Sequence, residues 1–390
     1  MEKYDVVIVG AGLAGLQCAK LLGARRLRVL LTDRKPSLSE SIHTTGIFVR
    51  RTLEDFMLPA DCLGPVVRHV TLYSPKRRAL DLESPHEEFR VGDMRKLYER
   101  FLADAVNAGV AWRPAARYIS CELGEDSSII KFETQGHLKQ VRARFIVGAD
   151  GATSRVACDL GLDSNQEWVI GVEDVLRHVK LEGEPRFHCF LDPEIAPGYL
   201  AWLVHDGEEV HLGVGGYAAR FSPVSALQKF RASVSNIIDL RDAQHVERRG
   251  GRIPVGGVLR RIACRRGLLT GDAAGAVSPL TAGGLDPCLR LSSFAAHVIA
   301  EYLETDDETA LALYSGERIR ARFTLRLWMR EAIKRLQHPV LLEFVCAALR
   351  LAPLRRIPAH IFFGRGSFPD TVSSMPSPLN QCPNHQANPY

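Results

Sequence analysis

The chain opens on a short run of β-branched, apolar residues, Tyr4-Asp-Val-Val-Ile-Val9. It passes directly into Gly10-Ala-Gly12-Leu-Ala-Gly15 and then into a helical pattern from Leu16 to Leu22. Apolar run, glycine turn and helix in that order predict a strand–turn–helix unit. A second strand is expected at Arg28-Val-Leu-Leu-Thr32. Two further apolar strands of the first type follow much later, one in Ala143–Val147, closed by Gly148-Ala-Asp150-Gly151 with Ser154 and Arg155, and one at Gly267-Leu-Leu-Thr-Gly271. Strands of one kind spread over so much of the chain predict a single domain, residues 1–49, 89–166 and 256–305, interrupted by insertions at 50–88 and 167–255. The second insertion carries a different pattern. Glu184–Leu191, Gly198–Val204 and Glu209–Val214 are short β-rich runs separated by Pro, Gly and Asp. Runs joined by turns imply an antiparallel sheet, a suitable wall for a substrate pocket. From Thr309 the pattern turns helical, giving C-terminal helices over 306–366. The tail 367–390, rich in Pro, Ser and Asn, is expected to be disordered.

Composition narrows the class. A length of 390 residues allows two domains, and 46% hydrophobic with 24% charged residues is ordinary for a globular enzyme. A net charge of +5 over this length is too small to argue for nucleic acid. No positively charged leader precedes an apolar segment, so no signal peptide is expected. The apolar stretch Val340–Leu349 is too short to span a bilayer and contains Glu343. Nine cysteines are scattered without a C-x-x-C pair. That spacing fits reduced thiols in a cytoplasmic compartment, with neither a metal site nor a redox disulfide.

The glycines carry the candidate chemistry. Gly10 permits the tight turn, Gly12 lets the backbone approach a pyrophosphate, and Gly15 lets helix and strand pack closely. Asp33 ends the second strand, 18 residues beyond Gly15, where an acid accepts from adenosine ribose hydroxyls, with Arg34 beside it. This fingerprint alone does not separate NAD from FAD. The segment Leu268–Leu285 does, because Gly271-Asp272, a turn through Pro279 and the pair Gly283-Gly284 set one carboxylate and one helix N-terminus against the same extended ligand. FAD is the expected cofactor.

Gly10-x-Gly12-x-x-Gly15, Gly148-Ala-Asp150-Gly151 and Gly271-Asp272-Ala-Ala-Gly275 with Pro279-Leu-Thr281 together resemble the flavoproteins of the para-hydroxybenzoate hydroxylase fold. Within that superfamily the chain is most similar to the geranylgeranyl reductase family, since Gly275 stands where aromatic hydroxylases usually have histidine. The resemblance covers about residues 4–300. It implies an α/β fold, a Rossmann-like FAD-binding domain with an inserted antiparallel β-sheet substrate domain. It also implies roles. Gly10, Gly12 and Gly15 would hold the pyrophosphate, Asp33 the ribose, Asp272 a ribityl hydroxyl or the pyrophosphate, and Gly283 and Gly284 the pyrimidine edge. Arg95 matches the family's arginine, with a solvated helix-end cation as the alternative. Asp150 belongs to the second motif.

Three departures bear on the reaction. His43-Thr44-Thr45-Gly46 keeps the glycine but has threonine at the family's cysteine position. Pro197-Gly-Tyr199-Leu-Ala-Trp202 keeps the tryptophan and moves the tyrosine. Ala282-Gly283-Gly284 lacks the usual acid. Thr44, Thr45, Gly46, Tyr199 and Trp202 are expected to line the pocket, against the alternative of an ordinary sheet core and polar loop. His43, His188 and His205 are candidate proton donors by nearness in sequence.

The expected reaction is hydride transfer from reduced flavin to a carbon–carbon double bond of a small apolar or lipid substrate, isoprenoid or polyketide-like. NAD(P)H-dependent hydroxylation of an aromatic or polycyclic compound is the alternative, and a flavin-binding redox sensor without turnover is a third. No second dinucleotide fingerprint is present, so NAD(P)H or another external electron donor would dock transiently. Arg318, Arg322, Arg326, Arg330 and Lys334 recur every fourth residue on a predicted helix. Such a stripe beside an apolar helix suits peripheral contact with an anionic membrane, set against the alternative of a solvated basic face.

Overall fold

The computed structural model describes residues 1–180, 183–235 and 237–364, so the expected tail 367–390 lies outside the described residues. Strand Glu2–Val9 runs parallel to Val29–Thr32 on one side and to His137–Gly148 on the other. Ala111–Arg113 and Gly267–Leu269 extend the parallel array outward on the two sides. Strands at 2–9, 137–148 and 267–269, far apart in sequence, are therefore neighbours. Val6, Val7 and Ile8 are fully buried, as expected of a parallel sheet covered on both faces, where strands read as continuous apolar runs. Helix Leu13–Ala24 packs against Met94–Asn107 and Leu285–Thr305. An antiparallel pair, Ala116–Glu122 with Ser128–Thr134, attaches to the first half of strand 137–148.

A second sheet has seven strands in the order 244–254, 168–177, 210–216, 201–205, 186–190, 69–73 and 79–83. The three β-rich runs of the second insertion pair antiparallel, as their turns imply. One departure is that strand 186–190 pairs parallel with 69–73, which comes from the first insertion. One face of this sheet, with Val172, Leu203, Leu212 and Val214, packs on Leu227 and Phe230 of helix Pro223–Ser233. Strand alternation puts Glu173, Trp202, His211, Gly213 and Arg249 on the opposite face. A small sheet of Ile47–Val49, Phe89–Gly92 and Leu63–Val67 completes the molecule's β-structure among the described residues.

The C-terminal region is helical, but the helix expected through residues 318–334 is broken. Gly316–Ala321 ends and Thr324–Arg335 begins around Phe323, which is 1% exposed and belongs to the main core. Burying that ring turns the chain, so the spacing of five basic residues is not one continuous stripe.

Candidate cofactor and substrate site

Three turns meet at the C-terminal ends of the parallel strands, the edge where open α/β sheets bind ligands. Gly10 has φ +102°, and a Cβ there would lie 2.3 Å from the Ala149 carbonyl oxygen. The first and second turns thus touch through backbone. A Cβ at Gly15 would sit 1.9 Å from the Gly10 oxygen, whereas one at Gly12 meets nothing within 4 Å. Gly12 also precedes a helix with no side-chain cap, so its first N–H groups face open space with no side-chain acceptor. Asp33 is oriented by backbone, accepting from Ala11 N at 2.7 Å and from Lys35 N at 2.9 Å. Arg34 beside it is exposed.

Asp150 differs from the other expected cofactor residues. Its carboxylate accepts from Ser154 Oγ at 2.6 Å and from the N–H groups of Arg155 and Val156. Both oxygens are engaged in capping the short helix Arg155–Asp159, so Asp150 shapes the turn. Asn165, which no sequence signal marked, ties this turn to the third by donating to the carbonyls of Ala152 and Asp272.

The third turn begins at Gly271, φ +58°, where a Cβ would come 2.7 Å from Ala14. The adjacent Asp272 carboxylate has no protein hydrogen-bond partner among the described residues, and burial pushes its pKa up to about 6. Leaving such a group unpaired is costly unless a ligand hydroxyl or phosphate-linked donor meets it. Beyond Gly275, which sits against the Gly257 oxygen, the chain passes Pro279 in a loop closed by Ser278 N to Gly283 O at 3.0 Å. Tyr199 Oη donates to the Thr281 carbonyl at 2.7 Å, and Arg326 Nη1 donates to Ser278 Oγ at 3.0 Å. Ala282 is held at φ +52°, a left-handed conformation unusual for a residue with a Cβ. Gly283 and Gly284 then lead into helix Leu285–Thr305, again without a side-chain cap. An orphan carboxylate, an open glycine and two uncapped helix starts fit a long ligand with a pyrophosphate and hydroxyls, as FAD is.

The seven-stranded sheet supplies a wall. Trp202 lies on Gly213, where a Cβ would be 2.2 Å from the indole, and Tyr199 lies on Gly215 in the same way. Glycine under each ring lets the aromatic lie close to the sheet. The loop Thr44–Gly46 meets this wall through a buried charged cluster. Thr45 Oγ1 donates to Glu173 Oε2 at 2.6 Å, and Trp202 Nε1 donates to the same oxygen at 3.2 Å. His211 Nδ1 is 3.5 Å and Arg249 Nη1 3.6 Å from Glu173 Oε1. On its other side His211 Nε2 meets Asp206 Oδ2 at 3.1 Å, while Arg249 also donates to the Thr44 carbonyl. Burial alone would raise the Glu173 carboxyl, but the His211 imidazolium, Thr45 and Arg249 outweigh it and hold it below its ordinary value. Burial would likewise depress His211, yet its two carboxylates hold it at about 9. Glu173, His211 and Arg249 were not singled out from sequence. A signal was available, since Glu173 and Asp174 interrupt the apolar run Val169–Val175 and His211 the run Val210–Val214.

The remaining expected residues hold the following positions. Arg95 pairs with Glu247 at 2.7 Å and is 45% exposed. His43 is exposed and contacts the Gly250 carbonyl. His188 and His205 line a groove on the opposite face of the sheet from Trp202, with Arg186 and Arg231. Alternation along strands 186–190 and 201–205 puts them there, so nearness in sequence to Trp202 misplaces both as proton donors to this pocket. Of the basic series, Arg330 is 3% exposed between the Tyr199 and Tyr217 rings, Lys334 pairs with Glu167, and Arg326 braces Ser278. Those three cations face the protein and offer no basic face to a membrane.

Comparison with known proteins supports an FAD-binding fold. Residues 3–325 match the family described as FAD binding domain. Digeranylgeranylglycerophospholipid reductase of Methanocaldococcus jannaschii is 25% identical over 323 residues, 81% of this chain and 82% of that one. The crystal structure of a geranylgeranyl bacteriochlorophyll reductase-like protein from Thermoplasma acidophilum superposes with a TM-score of 0.80 at 21% identity, covering 89% and 91% of the two chains. Aklavinone-11 hydroxylase, solved with FAD and aklavinone, superposes with a TM-score of 0.67 at 20% identity over 83% of this chain and 67% of that one.

Proposed function

From the premise that this chain belongs to the FAD binding domain family, we propose that it reduces carbon–carbon double bonds of an isoprenoid lipid. It is an FAD-dependent oxidoreductase. Supporting the finer reading is the likeness to digeranylgeranylglycerophospholipid reductases over about four-fifths of both chains. The observation that carries it is the aromatic pair Trp202 and Tyr199, set close to the sheet on Gly213 and Gly215 beside the Thr44–Gly46 loop.

Bound FAD supplies hydride transfer at its ring. The chain's residues bind and orient. Backbone N–H groups at Gly12 and the following helical turn would hold the pyrophosphate, with Gly10 and Gly15 keeping turn and helix close. Asp33 would accept from the adenosine ribose, with Arg34 at the solvent side. Asp272 would take a ribityl hydroxyl, and Gly283 and Gly284 would turn their N–H groups to the pyrimidine edge, where a helix N-terminus favours negative charge. Gly271 and Pro279 shape that turn, Asp150 holds the one beside it, and Arg95 would reach the cofactor by leaving Glu247. Thr45 and Trp202 keep fixed positions because Glu173 Oε2 accepts from both. Such positioning lowers the entropic cost of bringing an alkene to the reacting atom. NAD(P)H or another external donor would supply electrons.

The test is anaerobic incubation of the chemically reduced, FAD-loaded protein with digeranylgeranylglycerophospholipid, followed by mass spectrometry. Gain of two hydrogens per double bond is the expected outcome. An oxygen-dependent product carrying an added oxygen atom would replace this reading with hydroxylation, the activity named for one neighbour of the same fold. No product from any polyprenyl lipid would leave the redox-sensor alternative.

A further inference from the structure

Helix Pro339–Leu349 rests on the protein through Glu343 and Cys346, which are 8% and 5% exposed. Val340, Leu341, Phe344 and Val345 point the other way, with Phe344 69% exposed. At about 100° per residue these four span an arc of roughly 140° on one side of the helix. Leu351, Leu354 and Ile357 are exposed in the segment that follows. Scattered apolar residues on a surface need no explanation, but a contiguous group of this size does.

Charge identifies what covers it. Between residues 336 and 364 the sequence holds one acid, Glu343. That acid faces inward, accepting from Lys76 N and lying near Arg78. The outward charge on this stretch is carried by Arg355 and Arg356, both exposed. A second copy of the chain docking about a twofold axis would bring only the same patch again, with no outward acid in it to meet the arginines. An anionic lipid surface meets both parts, with acyl chains for the apolar arc and headgroups for the arginines.

We propose that this face docks on an anionic bilayer, with Leu341 and Phe344 entering the acyl boundary and Arg355 and Arg356 at the headgroups. The inference goes beyond the proposed reaction and is read by vesicle binding, so failure of one leaves the other standing. The experiment is co-sedimentation of the full-length, FAD-loaded protein with vesicles of phosphatidylglycerol and, separately, of phosphatidylcholine. Binding is expected to phosphatidylglycerol vesicles, weakening with salt and falling about tenfold or more in Leu341→Asp/Phe344→Asp. FAD retention and melting temperature report whether that variant folds. Phe344→Trp, a conservative change, should show blue-shifted emission on the same vesicles relative to the wild type. The proposal is overturned by absence of binding to phosphatidylglycerol vesicles, by undiminished binding of the folded double variant, or by an unshifted Phe344→Trp spectrum. It is equally overturned if the patch instead mediates a dimer that the double variant abolishes while vesicles bind neither protein.

Discussion

The surroundings of Glu173 and Asp272 move their carboxyls in opposite directions. Asp272 has no cation, so burial raises its carboxyl to about 6. The folded protein without FAD is then destabilised as pH rises from about 4 through 6. Asp272→Asn removes this cost and should raise the melting temperature of FAD-free protein at pH 8 by the equivalent of about 1–2 kcal/mol, while weakening FAD binding. Differential scanning fluorimetry with and without FAD checks both halves. In the Glu173 cluster the charged forms are the favoured ones. His211 titrates near 9 in the fold against about 6.5 unfolded, so its contribution is complete below pH 6.5 and is lost as pH approaches 9. His211→Gln should cost about 3 kcal/mol at pH 6, where it removes the imidazolium from between two carboxylates and leaves Glu173 only Arg249, and much less at pH 9.5. Chemical denaturation at the two pH values measures the difference. At Ala282, φ +52° favours glycine. Ala282→Gly should relieve strain of about 1 kcal/mol, seen as a higher denaturation midpoint.

At the scale of elements, the strand–turn–helix at the N-terminus was legible because everything defining it is local. Each glycine acts on residues within the same unit or in the Gly148–Gly151 turn. Two neighbouring substitutions separate packing from ligand binding. Gly15→Ala drives a methyl into the Gly10 carbonyl and should lower both stability and FAD affinity. Gly12→Ala meets no protein atom, so stability should stay within about 0.5 kcal/mol of wild type while FAD affinity falls. Isothermal titration with FAD beside thermal melts decides it, and equal losses in both variants would contradict the assignment. The wall of the pocket was far less legible. Glu173, His211 and Arg249 come from three strands at 168–177, 210–216 and 244–254, and only their pairing brings them together. An acid within an apolar run does not reveal which residue answers it across the sheet. His188 and His205 show the complementary error, because sequence distance from Trp202 does not tell which face a side chain takes.

For the molecule as a whole, three parallel strands from distant parts of the chain were readable as one sheet, since each carries the same buried apolar signature. The joining of the first insertion to the second, through the parallel pair 69–73 and 186–190, was not, because no periodicity specifies a partner strand. The basic series near the C-terminus misled for a related reason. Fourfold spacing describes an isolated helix, and burial of Phe323 broke it while Tyr199, Tyr217 and Glu167 drew the cations inward. Arg330→Met should therefore lower stability by about 2 kcal/mol through loss of two ring contacts and the bond to Tyr217, measurable by urea titration.

Helix Thr324–Arg335 carries Arg326 to Ser278 on one side and holds Leu325 and Trp328, both over 70% exposed, on the other. Inner and outer side chains are thus separated by one or two residues on a stiff rod. Arg326 is a direct link between a helix whose far side is open to solvent and the loop ahead of Gly283, so the packing of that loop depends on a residue of the molecule's outer layer.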